Sequence, residues 1–201
     1  MKYLAAGVAL LATAVMIAPA RAQTLTGDAL LTTLRKGGYV IVMRHAASPR
    51  QVPDRQTANP DNTTPERQLD EVGRATATAM GTALRDLKIP IGTVLTSPTY
   101  RAVETVRMAK LSNAQPVPEL GDGGQSMQAA PGASAAWLQK KVAEFPAGSN
   151  TLLVTHMPNI SAAFPSLTDV ADGEALVFGP DGKGGATVVA RITIDAWPRM
   201  K

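Results

Sequence analysis

Two apolar runs constrain this chain more than anything else in it: Tyr39-Val40-Ile41-Val42-Met43 and Thr151-Leu152-Leu153-Val154-Thr155. Neither alternates apolar with polar residues. Each therefore reads as a strand covered on both faces, the habit of parallel sheets in α/β proteins. Arg44-His45 follows the first run and His156 follows the second, and the 201 residues hold only these 2 histidines. The carboxyl ends of strands in an open parallel sheet border its ligand crevice. Two imidazoles delivered there, one beside an arginine, point to a site that handles phosphate by a covalent route.

The rest of the pattern alternates helices with strands. Residues 25–36 read as an amphipathic helix with Leu30, Leu31 and Leu34 at helical spacing, ended by Gly37-Gly38. Residues 70–87 read as a second, longer helix and 92–96 as a second strand. Ser97-Pro98 has the form of an N-cap followed by proline in the first turn, which predicts a helix over 98–111. A short strand is expected over 115–117, a helix over 134–145, and strands over 174–178 and 187–194 joined by the turn-rich link Pro180-Asp181-Gly182-Lys183-Gly184-Gly185. The fold class that follows is α/β, a three-layer sandwich with a mainly parallel central sheet flanked by helices and a closing β-hairpin. The segments 47–65, with four prolines, and 119–133, rich in glycine and small residues, are loops placed to shape the rim of a pocket.

Lys2, the apolar stretch Leu4–Ala18 and Ala20-Arg21-Ala22 form the n-region, h-region and cleavage pattern of a secretory signal peptide. The domains expected are thus a leader over 1–22 and one globular unit over 23–201, exported to the periplasm or beyond. Lys2 and Arg21 are two of the 20 basic residues set against 16 acidic ones, so without them the net charge falls from +4 to +2. No basic block appears and aromatic residues make up 4% of the chain, which argues against nucleic-acid binding. With 0 cysteines there are no disulfides, which a domain of this size can forgo. No stable membrane insertion is expected after cleavage, and oligomeric state is not readable.

Chemistry concentrates at three places. A histidine at a strand end can attack phosphorus through one ring nitrogen while the other donates to a backbone carbonyl. The neighbouring Arg44 guanidinium can grip two phosphate oxygens at once. Arg101 lies one turn into the helix after Ser97-Pro98, close enough to return to the sheet edge, where the helix N-terminus also favours an anion.

These residues resemble the histidine phosphatase superfamily, which includes the phosphoglycerate mutases. Its opening Arg-His-Gly is matched by Arg44-His45-Ala46, with alanine in place of glycine. Its leucine and glycine at the first long helix are matched by Arg67-Gln68-Leu69-Asp70-Glu71-Val72-Gly73-Arg74. Its Ser-Pro-x-x-Arg-Ala-x-x-Thr signature is matched in full by Ser97 to Thr105, and its final strand ending in histidine by Leu152 to His156. The resemblance implies that His45 is the nucleophile that becomes phosphohistidine. It implies that Arg44, Arg101 and His156 complete the phosphate pocket, with no metal and no cofactor. Phosphoryl transfer needs positioning and charge neutralisation above all, which these groups supply.

A leaving alkoxide needs a general acid. By position in the family pattern this is Glu119 in Val117-Pro118-Glu119-Leu120-Gly121, with Asp122 and Asp54 as the other candidates and an acid-free mechanism as a further one. Glu104 reads as a structural position on the signature helix. Met157-Pro158-Asn159 after His156, the small size and the missing disulfides argue against a phytase-like enzyme. The function expected is an exported phosphomonoesterase acting on a phosphorylated small molecule or envelope glycan. The alternative is a non-catalytic module of the same fold that binds phosphoryl ligands, suggested by Ala46 and its neighbours. Arg50 and Arg55 are candidates for meeting a second anionic group.

Overall fold

A computed structural model describes residues 24–122 and 131–201. The expected leader and its cleavage site, and residues 123–130 of the second rim loop, lie outside them. The two apolar runs are strands β1 (Val40–Arg44) and β4 (Asn150–Thr155). They lie side by side and parallel, with Arg44 opposite Thr155, in the middle of a six-stranded sheet of order β3-β2-β4-β1-β5-β6. Strands β2 (Ile91–Thr96) and β3 (Gln115–Pro116) extend the parallel part beyond β4. Strands β5 (Ala175–Pro180) and β6 (Ala186–Ile192) form the closing antiparallel hairpin on the other side of β1.

The continuous apolar character of β1 has the cause expected of it. Ile41 and Met43 enter one buried cluster while Val40 and Val42 enter another, so both faces of the strand are in core. The first cluster takes the apolar faces of α1 (Gly27–Lys36), α2 (Glu71–Asp86), α3 (Tyr100–Met108) and the final 3₁₀ segment Ile194–Arg199, which contributes buried Trp197. The second takes Leu138 of α4 (Pro131–Lys141) and Ile160 of α5 (Met157–Ala163). Helices on both faces of the sheet make three layers.

Helix boundaries follow their capping groups. Gly37, at φ 76°, ends α1 with its N–H on Leu34 O. The Asp70 side chain caps α2 by accepting from Gly73 N at 2.6 Å. Helix α3 starts later than its sequence predicts, at Tyr100 with Thr99 as N-cap. Ser97 does not cap it in the expected way, because its hydroxyl accepts from Thr99 N and bonds the imidazole of His156. Helix α4 begins at Pro131, three residues before the expected start, and stops at Lys141, before the expected end. Helix α5 and the 3₁₀ turn at the C-terminus were not anticipated; α5 has only 7 residues and opens with Met157-Pro158, too short for helical periodicity to register.

Candidate active site

Because β1 and β4 pair in parallel, His45 and His156 leave the sheet next to each other, with ring centroids 5.1 Å apart. The His45 backbone is pinned from both sides, its N–H to Thr155 O at 3.0 Å and its carbonyl to Gly173 N at 2.9 Å. Strand β2 lies on the other side of β4 and carries Ser97 and then Arg101, in the first turn of α3, to the same edge. Three adjacent parallel strands therefore deliver the nucleophile candidate, the second imidazole and the buried arginine to one spot. His45, His156 and Arg101 are all buried, and Arg101 is only 5% exposed.

The hydrogen bonds determine the tautomers. His45 Nδ1 lies 2.8 Å from Ala46 O, and a carbonyl can only accept, so Nδ1 carries the proton. Nε2 is then unprotonated, and its lone pair accepts from Arg101 Nε at 3.2 Å. In His156, Nδ1 accepts from Arg101 Nη2 at 3.1 Å, and Nε2–H donates to Ser97 Oγ at 2.8 Å, with Thr99 Oγ1 at 3.2 Å. Burial holds His45 neutral, its pKa lowered to about 3, with Arg101, Arg44 and Arg67 pressing the same way against the bond to Ala46 O. His156 is pushed well below the usual imidazole range by burial, then by Arg101. Neutral imidazoles in a cationic field suit nucleophilic attack on an anion.

Arg44 sits at the end of β1 and is partly exposed. Its Nη1 donates to Val170 O at 2.8 Å, its Nη2 pairs with Asp172 at 2.6 Å, and its Nε is buried without a partner among the described residues. A third guanidinium, Arg67, was not singled out in the sequence. Its Nε and Nη2 donate to Pro49 O and Ser48 O, and it is close enough to lower both imidazole pKa values. Its own pKa is lowered, by burial and then by Arg101. The signal for it was its place directly ahead of the Leu69–Gly73 landmark, and nothing in its spacing to His45 could reveal the approach.

The carboxylates fall out differently from expectation. The carboxyl beside the cluster is that of Asp122, which forms an ion pair with Arg101 Nη2 and lies 3.9 Å from His156 Nδ1. Glu119, favoured by position, makes no side-chain hydrogen bond or ion pair among the described residues. The reason is local. Pro118–Leu120 is a 3₁₀ turn whose Leu120 is fully buried, with its carbonyl tied to Thr155 Oγ1 at 2.6 Å. With Leu120 locked inward, Glu119 is rotated about a third of a turn off that direction, while the chain two residues on emerges over Arg101. Asp54 is exposed and spends its carboxylate on Gln56 N, Thr57 N and the Thr57 hydroxyl. Arg50 and Arg55 are exposed on the same loop.

Glu104 has the structural place read for it. It is 1% exposed and accepts from Leu69 N at 2.7 Å and Asn59 Nδ2 at 2.9 Å, tying the first rim loop to α3. The N-terminus of α3 does not face the imidazoles as an open anion site, because the Glu66 carboxylate accepts from Tyr100 N at 3.1 Å. The loop, not a phosphate, supplies the anion that this helix end favours.

Residues 40–122 match the family model of the histidine phosphatase superfamily (branch 1), a span that contains Arg44-His45, Arg67 and the whole Ser97–Thr105 signature. Over that span the chain is similar to the histidine phosphatase superfamily. Solved structures share the superfamily fold at low identity. The protein histidine phosphatase SixA complexed with tungstate is 21% identical, with a TM-score of 0.57 over 78% of this chain and 97% of that one. YhfR of Bacillus stearothermophilus is 16% identical, with a TM-score of 0.52 over 75% and 94%. A phosphoserine phosphatase from Entamoeba histolytica is 11% identical, with a TM-score of 0.52 over 78% and 97%. No curated protein matches the chain by sequence. At these identities the likeness shows the fold alone and leaves activity to the site.

Proposed function

We propose that this chain is a phosphomonoesterase that works through a phosphohistidine on His45. The observation that supports it best is the state of that ring: Nδ1–H fixed on Ala46 O, Nε2 unprotonated, and a guanidinium at Nε2. A phosphoryl dianion entering the cluster would draw the Arg101 N–H groups onto its oxygens, with Arg44, Arg67 and His156 Nε2–H or its bonded hydroxyls supporting the rest. Nε2 of His45 then attacks phosphorus in line, the phosphorus–oxygen bond to the leaving group breaks, and a proton passes from the Asp122 carboxyl to the departing oxygen. In the second half Asp122 takes a proton from water as that water attacks phosphohistidine. Inorganic phosphate leaves and His45 is restored. The charge is carried by positioned cations throughout, which is what phosphoryl transfer needs.

SixA is a protein histidine phosphatase. For this chain an ester is favoured over a phosphohistidine substrate because Asp122 stands at the arginine, and an alkoxide leaving group needs the proton it can supply. Among the described residues no three His, Cys, Asp or Glu gather to hold a metal ion. Among the same residues no helix is long and apolar enough to cross a membrane. With residues 1–22 read as a secretory leader, the activity belongs outside the cytoplasm, on phosphorylated small molecules or glycans of the envelope.

Hydrolysis of an aryl phosphate by the mature chain, with chelator present, tests the reading. Turnover that vanadate blocks and that His45→Ala abolishes is expected. Equal turnover in His45→Ala contradicts it, and loss of wild-type turnover in chelator contradicts the metal-independent form. Phosphate binding with no turnover on any ester would move the chain to the binding-module alternative.

A further inference from the structure

We propose that Arg191 and Glu174, which lie outside the imidazole cluster, are positioning residues for it: their ion pair staples the segment 169–174 ahead of β5, and that segment aims the Arg44 guanidinium at the phosphoryl group. This deepens the phosphatase reading and rests on its phosphate site.

Arg44 ends β1, but its side chain is held from elsewhere. Every hydrogen bond or ion pair of its guanidinium among the described residues goes to one short stretch of chain: Nη1 donates to Val170 O at 2.8 Å and Nη2 pairs with Asp172 at 2.6 Å. The backbone of the same stretch grips the strand end, with Arg44 N on Glu174 O at 3.1 Å and Gly173 N on His45 O at 2.9 Å. Fixing a side chain as long as arginine costs up to about 2 kcal/mol of rotamer entropy. An arginine that meets phosphate in one geometry is therefore best held by a rigid partner. The stretch that holds Arg44 belongs to no helix or strand, so its rigidity must come from other contacts.

Arg191 supplies them from β6. Its Nε donates to Glu174 Oε1 at 2.7 Å and its Nη2 to Glu174 Oε2 at 3.1 Å, a two-pronged grip that lysine could not reproduce. Its Nη1 reaches Asp169 Oδ1 at 3.1 Å, and Nη2 also donates to Asp169 O at 3.3 Å. One guanidinium thus holds both ends of the segment. Glu174 Oε2 accepts in addition from Ala171 N at 2.9 Å, closing the turn from within. Val170 lies between these ties, its side chain in the second buried cluster and its carbonyl on Arg44. Glu174 is only 5% exposed. A buried carboxylate is expensive to desolvate, and an apolar pair of similar volume would serve stability as well. An apolar pair could not tie the backbone groups of Ala171 and Asp169, and those ties set where Val170 O and Asp172 stand. Burial pushes the Glu174 pKa up, and the bonds from Arg191 and Ala171 N more than offset it, so the carboxylate stays charged. Arg44 in turn reaches the cluster: beyond burial, the charges of Arg101 and Arg44 both lower the pKa of each imidazole. His45 depends less on the segment, because Thr155 O on β4 also holds its backbone.

A double-mutant cycle on tungstate affinity, read by calorimetric titration of folded protein, tests the proposal. Arg44→Ala is expected to weaken tungstate binding about 10- to 100-fold, the worth of a charged hydrogen-bonding partner. Arg191→Met should weaken it about tenfold in the presence of Arg44, and by no more than about twofold once Arg44 is alanine, because nothing is then left to aim. Should Arg191→Met fail to fold, Glu174→Gln takes its place in the cycle, with the same pattern expected. Losses that add across the two sites assign the pair a merely structural role and overturn the proposal, as does unchanged affinity in folded Arg191→Met. The cycle is read on binding, so binding without turnover would strike the phosphatase reading and leave the positioning result intact. No tungstate binding by wild type would overturn the phosphate site itself, and the proposal with it.

Discussion

At the scale of single residues, the site turns on which lone pair and which carboxylate are where. The Ala46 carbonyl holds the proton of His45 on Nδ1 and so leaves Nε2 unprotonated. The carboxylates separate cleanly. Asp122→Asn is expected to lower kcat by about 10²–10⁴ on an alkyl phosphate, the usual worth of a general acid, and by much less on an aryl phosphate whose leaving group needs little help. Glu119→Gln should change neither by more than a few fold. Steady-state kinetics on both substrates checks this, and the reverse ranking would return the role to Glu119. Stability should also report the imidazoles. The folded chain holds His45 neutral down to about pH 3, while the unfolded chain takes up that proton near 6.5. Below 6.5 the unfolded state binds more protons, so stability falls as pH drops from 6.5 towards 3. His156 adds in the same direction. Thermal melts across that window should show the decline, and a shallower decline in His45→Asn; identical slopes would contradict it. His45, Arg44, Arg101 and His156 were legible in the sequence because each is adjacent to a strand or helix end. Arg67 and Asp122 were not read as the site's third guanidinium and first carboxylate, because a long loop and a buried Leu120 decide where they point.

At the scale of elements, the site depends on how closely helices approach the strand ends. Gly73 shows this. A Cβ there would sit 2.1 Å from the Ala47 carbonyl oxygen, two residues beyond His45. The same carbonyl accepts from Asp70 N at 3.2 Å, so the start of α2 rests directly on the segment that carries His45. Gly73→Ala must push α2 or residues 46–48 aside. A loss of about 1–3 kcal/mol in stability is expected, with a fall in kcat/KM out of proportion to the folded fraction. Denaturant unfolding and kinetics measured together check it, and an unchanged variant would contradict the close approach. Thr105 is the matching device on α3, its hydroxyl accepting from Ala46 N at 3.1 Å and donating to Arg101 O at 2.8 Å. The strands could be read from the sequence because a strand buried on both faces leaves an unbroken apolar run. The start of α3 could not, because Ser97, a good cap by type, is drawn into bonding His156 and Thr99. Short α5 was invisible for want of length.

At the scale of the whole molecule, the sheet order does the gathering. Strand β4 is made late in the chain yet inserts between β1 and β2, and this alone sets His156 between His45 and Arg101. The landmarks at 44–45, 97–105 and 156 are far apart in sequence, and only the crossover makes them one site. Their order could be read from the sequence, but the strand pairing that unites them had to come from the fold. The late strand also explains why the pocket needs the entire domain: neither the span 40–122 that carries the family pattern nor the segment after it holds both imidazoles. The central claim is the covalent one, and rapid quenching tests it most directly. The protein, mixed with a phosphate-labelled aryl ester and stopped in alkali within the first turnover, should carry acid-labile, base-stable label that peptide mass spectrometry places on His45. Label on another residue, or full turnover with no protein-bound phosphate at any time, would contradict the account.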